Sequence, residues 1–139
     1  MKRKGHLLIT FVMAMFMVMF SFYMHGPDWW IVAKGLAFWW AFTMLPDADI
    51  ILGFAHRHWF FHSIIPAILI TLCLGDLTQK SFIIFLSGAH LLEDCWKPAN
   101  GTWCVTWRKG KRWSMHVSLA WYLVNGVLGI VIAVGLEAA

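Results

Sequence analysis

The chain has 139 residues, of which 60% are hydrophobic and only 13% charged. A soluble domain carries roughly 45–50% apolar and about 25% charged residues, so the composition excludes a disordered chain, a coiled coil and a disulfide-stapled secreted domain. So few charges do not cover a water-soluble globule of this size, and the solvent this sequence suits is a bilayer. The formal net charge is +4, from eleven Lys/Arg and seven Asp/Glu. The basic residues are clustered beside apolar runs: Lys2, Arg3 and Lys4 before the first, and Arg108, Lys109, Lys111 and Arg112 before the last. Clusters in such places set membrane topology rather than bind nucleic acid. Cys73, Cys95 and Cys104 are an odd count without metal-knuckle spacing and read as thiols or apolar fillers.

Five apolar stretches follow one another: Leu7–Met24, Trp29–Leu45, Ile64–Leu74, Phe82–Leu92 and Val117–Leu136. The first and last are long enough to cross about 30 Å of hydrocarbon at 1.5 Å per helical residue. The second is near the lower limit. The two shorter middle stretches are expected to pack around a site with their backs to lipid. The first stretch, at 18 residues, is longer than a signal-peptide core and lacks a small-residue cleavage signal, so it reads as a retained helix. The expected fold is therefore an all-α membrane protein, a single domain over residues 1–139 built as a bundle of about five transmembrane helices. Lys/Arg asymmetry places the N-terminus inside and the C-terminus outside. Trp29, Trp30, Trp59, Trp96, Trp113 and Trp121 fall near span ends, where an interfacial aromatic belt belongs. No internal repeat, low-complexity segment or linker divides the chain.

Seven histidines are many for so few charged residues. His6 opens the first helix. Pro46 breaks the second and is followed by Asp47 and Asp49. His56, Arg57, His58 and His62 precede the third helix, and His90, Glu93 and Asp94 lie late in the fourth. Under the topology above all of them gather near one face of the membrane, although the spans were drawn without reference to His, Asp or Glu. His90 and Asp94 are four apart and share a helix face, as do His58 and His62 if that stretch is helical. Imidazole and carboxylate ligands suit Zn²⁺ first, with Mn²⁺ and Fe²⁺ compatible. A buried Asp/His cluster is costly without a cation or mutual pairing. The candidate metal ligands are His6, Asp47, Asp49, His56, His62, His90 and Asp94. Asp47 or Asp49 would be ligand or general base, and Arg57 would hold a phosphate or orient a carboxylate.

The competing readings are plainer. An intramembrane ion-pair network explains the same cluster, with Arg57 as its most obvious cation. His25 and His116 read as interfacial side chains, Asp28 as a helix cap, Asp76 as a loop residue, Lys34 as a snorkelling lysine and Glu93 as a solvated interfacial carboxylate. Gly126, Gly129 and Ala133 put small residues on the last helix, where another helix could approach.

The order of Leu45-Pro46-Asp47-Ala48-Asp49, His56-Arg57, His62-Ser63 and His90 with Asp94, preceded by His6, resembles a family of small integral-membrane, metal-dependent hydrolases described as LexA-regulated inner-membrane proteins. The likeness spans residues 6 to 113. Phe61 stands where that family carries Thr, His58 where Gly is common and Gly88-Ala89 where Ser is frequent. The resemblance implies a metal-dependent hydrolase of the bacterial inner membrane. Similar His/Asp patterns in zinc-dependent phospholipases C imply a lipid phosphoester or related amphiphile as substrate, with membrane lipids as the surrounding partners. The alternative class is a non-enzymatic membrane protein that binds a metal or a partner protein.

Overall fold

The computed structural model describes residues 3–42, 45, 52, 57–95, 104–108 and 111–139, with the side chains of residues 3–7, 40–42 and 107–108 left aside. Among them are five α-helices: α1 (Arg3–His25), α2 (Trp29–Phe42), α3 (Ile65–Thr71), α4 (Leu77–Cys95) and α5 (Met115–Glu137). Two short strands, β1 (Thr106–Arg108) and β2 (Lys111–Arg112), pair antiparallel between α4 and α5. The chain is mostly helical, and each apolar stretch of the sequence supplies one helix.

Local chemistry sets the helix ends. Gly26 takes φ +84°, the left-handed conformation that closes a helix, and its N–H donates to the Phe22 carbonyl at 2.9 Å. Pro27 follows, and Asp28 then caps α2, its Oδ1 accepting from the Trp30 N–H at 2.9 Å. This short connection makes α1 and α2 an antiparallel pair, joined further along where Trp39 Nε1 donates to Thr10 Oγ1 at 3.3 Å. Pro66 sits in the first turn of α3, where its missing N–H costs nothing. Asp76 is more than a loop residue: its Oδ1 caps α4 through the Gln79 N–H at 3.3 Å, and its Oδ2 receives Lys34 Nζ at 2.5 Å. Lys34 is thus paired across the α2–α4 gap rather than reaching out alone. Burial pushes the Asp76 carboxyl up, but the Lys34 hydrogen bond and charge, with the backbone N–H groups of Gln79 and Thr78, outweigh it and hold the group below 3.8. Ser114 caps α5, accepting from the Val117 N–H at 3.4 Å.

Helix α4 is the centre of the molecule. Every residue from Ser81 to Leu91 is buried, and α4 packs against α1, α2, α3 and α5. The expectation of a short helix with its back to lipid is corrected here. The run Phe82-Ile83-Ile84-Phe85-Leu86 is apolar on every side, which places a helix inside a bundle rather than on its face. Around it close Ala14, Met17, Val18, Ile31, Ile64, Ala67 and Ala133. The closest approach is between α4 and α5. A Cβ on Gly88 would lie 2.9 Å from the Gly126 carbonyl oxygen, and one on Gly129 would lie 3.0 Å from the Gly88 Cα. The small residues of the last helix therefore serve the contact with α4 of the same chain, and Ala133 is buried there too.

Two helices, at 8–25 and 115–137, are long and apolar enough to cross a membrane. Only 28% and 33% of them are buried in the bundle. Their outer faces present Leu8, Val12, Phe16 and Met19 on α1, and Leu123, Val124, Val127 and Val131 on α5, all exposed. Core helices of soluble proteins are mostly covered; contiguous apolar surface on this scale marks contact with lipid or another apolar partner.

The helices alternate in direction. Contacts of His25 with Glu137, and of Lys34 with Asp76, gather the ends of α1 and α5 and the starts of α2 and α4 at one end of the bundle. The other end holds the start of α5, the end of α4 and the β-hairpin, and α1 begins there.

Candidate metal centre

That second end carries the site. His90 and Asp94 stand one turn apart on the last part of α4. His62 arrives from the turn before α3. Each of the three offers a ligand atom, all within 4.8 Å of one another, and all three side chains are buried. Nε2 of His62 lies 3.7 Å and Nε2 of His90 lies 3.9 Å from the same Asp94 oxygen, Oδ2. Arg57 brings its Nη1 to 3.3 Å from that oxygen and is itself only 2% exposed. The Asp94 carboxylate is therefore the hub: two imidazoles and one guanidinium converge on one oxygen, beside a second buried carboxylate, Glu93. Glu93 was expected in solvent. It is 7% exposed.

The segment that delivers Arg57 and His62 is fixed by backbone chemistry. The Arg57 carbonyl accepts from the Thr106 N–H at 2.8 Å, and the Trp59 N–H donates to the Thr106 carbonyl at 2.9 Å, so β1 clamps both sides of His58. Arg57 adopts φ +66°, a conformation a bulky L-residue takes only at a cost of order 1 kcal/mol. From there the chain turns into a helical loop in which the His62 N–H reaches the His58 carbonyl at 2.9 Å. The last helix holds the far end of the segment. Trp121 Nε1 donates to the His62 carbonyl at 2.7 Å, and Asn125 Oδ1 accepts from the Ile64 N–H at 3.2 Å. The Tyr122 hydroxyl accepts from Arg57 Nη1 at 3.1 Å.

Of the residues singled out in the sequence, His62, His90, Asp94 and Arg57 are thus brought together. His6 lies near the start of α1, at this same end of the bundle, with its side chain outside the described set. Asp47, Asp49 and His56 lie outside the described residues. His58 is half-buried and faces Trp59 and Phe61. The sequence reading missed Tyr122, Asn125 and Thr106, and took Trp121 for a residue of the interfacial belt, whereas its Nε1 holds the His62 carbonyl. The available signal was the polar atoms of Ser118, Trp121, Tyr122 and Asn125 recurring every three to four residues in an otherwise apolar span, which marks an inward face. The basic segment before α5, read in the sequence as a cluster that sets topology, contributes to β1 and β2.

Two imidazoles and a carboxylate match the donor set of a zinc site that leaves a position open for water. The buried Asp94 carboxylate needs charge compensation, which Arg57 at 3.3 Å supplies and a cation between the three donors would also supply. Comparison with known protein families, with curated proteins and with solved structures finds no match to this chain.

Proposed function

We propose that the chain is a bacterial inner-membrane protein of about five spans, N-terminus inside and C-terminus outside, whose cytoplasmic end is a metal-dependent hydrolase acting on a lipid phosphoester or related amphiphile. The observation that carries this reading is the convergence of His62, His90 and Asp94, from two separate parts of the chain, within 4.8 Å in a buried place. The order of motifs shared with the small membrane hydrolases supports it. So do the exposed apolar faces of α1 and α5. Zn²⁺ is the first choice of metal, with Mn²⁺ and Fe²⁺ compatible, and it would supply a water ionised near neutral pH and a Lewis acid for a phosphoryl oxygen. His62, His90 and Asp94 would hold it, with His6, Asp47, Asp49 and His56 as the remaining candidate ligands. Asp47 or Asp49 is the candidate general base. Arg57 orients Asp94, and a guanidinium at that position also suits a phosphate. Exposed Lys111 and Arg112, on the adjoining hairpin, would favour anionic headgroups.

One observation favours a second reading. Arg57 lies 3.3 Å from Asp94, which balances that carboxylate without any metal and suits a non-enzymatic membrane protein stabilised by a buried ion-pair network. The two are separated by incubating detergent-purified protein with phospholipid micelles and added Zn²⁺ or Mn²⁺. Headgroup release that disappears in Asp94→Ala supports the hydrolase. Release at the same rate in wild type and Asp94→Ala, or none with any phospholipid class, leaves the ion-pair reading in possession.

A further inference from the structure

Ser87 lies on α4 one turn before His90 and two turns before Asp94. Positions i, i+3 and i+7 share one face of a helix, so Ser87 stands on the stripe that carries both candidate ligands. The neighbouring Gly88 faces α5 instead, where a Cβ would meet the Gly126 carbonyl oxygen. Ser87 is 1% exposed. Among the described residues its Oγ is the one fully enclosed hydroxyl with no hydrogen-bond partner. Ser63, Thr71, Ser81 and Ser118, also buried, each donate to a carbonyl about one turn back.

We propose that the Ser87 hydroxyl is the outer hydrogen-bond partner of His90 in the metal-loaded site: it accepts from the proton-bearing ring nitrogen and so fixes which nitrogen of His90 binds the cation. The inference rests on the reading of His62, His90 and Asp94 as metal ligands. A metal-bound imidazole uses one nitrogen as ligand and donates its other N–H to an acceptor nearby, and that acceptor sets the tautomer and aim of the ring. Nε2 of His90 is the nitrogen 3.9 Å from Asp94 Oδ2, so Nδ1 is the one to carry the proton. Residues three apart on a helix have Cβ atoms roughly 5–6 Å from each other, and a long helical side chain leans back over the preceding turn. Ser87 is the residue that this spacing sets beneath the His90 ring. A hydroxyl accepts and donates at once. While accepting from His90, Ser87 can give its own proton to the Ile83 carbonyl four residues back, as helical serines do.

Packing alone does not call for a hydroxyl at this position. Ile83, Ile84, Phe85 and Leu86 before it are buried and apolar. Alanine at 87 would keep nearly the same volume and remove an enclosed polar atom that has no partner. Serine there lowers the stability of the fold, and what it adds is a hydrogen-bonding oxygen beside a candidate ligand. Ser87 also lies two turns further into the bundle than Asp94, away from the hairpin. Its part is to position His90, and it does not touch substrate.

Zn²⁺ titration of the detergent-purified full chain against a chromogenic chelator tests this, beside thermal unfolding of the same proteins stripped of metal. Ser87→Ala should bind Zn²⁺ about 10–100-fold more weakly than the wild type, while its metal-free unfolding midpoint equals or exceeds that of the wild type. A residue that served only the fold would not separate the two measurements in this way. Equal Zn²⁺ affinity in the two proteins overturns the inference and leaves the metal reading standing. A weaker affinity accompanied by a lowered metal-free midpoint, or a Ser87→Ala chain that does not fold, assigns the hydroxyl to the fold and overturns the inference as well. A wild type that binds no Zn²⁺ overturns the metal reading itself, and this inference with it.

Discussion

At the scale of single residues, Asp94 is the position on which the most depends. Its Oδ2 is approached by Arg57, His62 and His90, so its environment is set by groups more than 30 residues away in sequence as well as by its own helix. Tyr122 supports this from behind by accepting from Arg57. Tyr122→Phe should leave a buried guanidinium N–H without that acceptor and cost about 1–3 kcal/mol, measured by thermal or denaturant unfolding in detergent, while leaving the Asp94 cluster assembled. At the other end, the carboxyl of Asp76 is held low, so its contribution to stability is present above 3.8 and is lost as the pH falls below that value. The pair is partly exposed and worth about 0.5 kcal/mol or less. Asp76→Asn should therefore lower the unfolding midpoint slightly at neutral pH, and the gap should close in acid. The candidate ligands at 62, 90 and 94 were legible because imidazoles and carboxylates are out of place in an apolar chain. Tyr122 was not, because an aromatic ring near a span end is equally at home in an interfacial belt. Glu137 meets Ser21 and Ser81 only through the fold, because no spacing connects them to it.

At the scale of elements, the five apolar stretches were legible as helices because each is bounded by residues with a definite physical role: Gly26 and Asp28, Pro66, Asp76, and Ser114. Which helix lies inside was not. Length marks the first and last stretches as the ones able to cross a membrane, yet the enclosed helix is α4, whose middle run Phe82-Ile83-Ile84-Phe85-Leu86 is apolar on every side. The pairing of α4 with α5 depends on Gly88, Gly126 and Gly129, which read in isolation suit any approaching helix. Gly88→Ala should destabilise by about 1–3 kcal/mol, because its new Cβ would meet backbone atoms at 2.9–3.2 Å that have no side-chain freedom to yield. Gly135→Ala, on the same helix as Gly126 and Gly129 but with open space around it, should instead stabilise by up to about 1 kcal/mol through helix propensity. Opposite signs in the two unfolding midpoints check the packing; a shift of the same sign and size in both would contradict it.

At the scale of the whole molecule, the bundle has a polar centre at each end and an apolar middle. One end gathers His62, His90, Asp94 and Arg57 beneath a basic hairpin. The other gathers Glu137, Ser21, Ser81 and His25. The meeting of His62 and Arg57 with His90 and Asp94 at one end of the bundle was legible in the order of the helices, since alternate directions bring the end of α4 and the start of α5 together. The hairpin was not, because a strand pair of five residues leaves little periodicity to read. The central claim is that the first cluster holds a divalent metal. Elemental analysis of the chain purified in detergent without chelators tests it most directly, alongside His62→Ala and Asp94→Ala. The account predicts close to one equivalent of a transition metal in the wild type and a large loss in both variants. Less than about a fifth of an equivalent in the wild type, or equal metal in all three proteins, would contradict it.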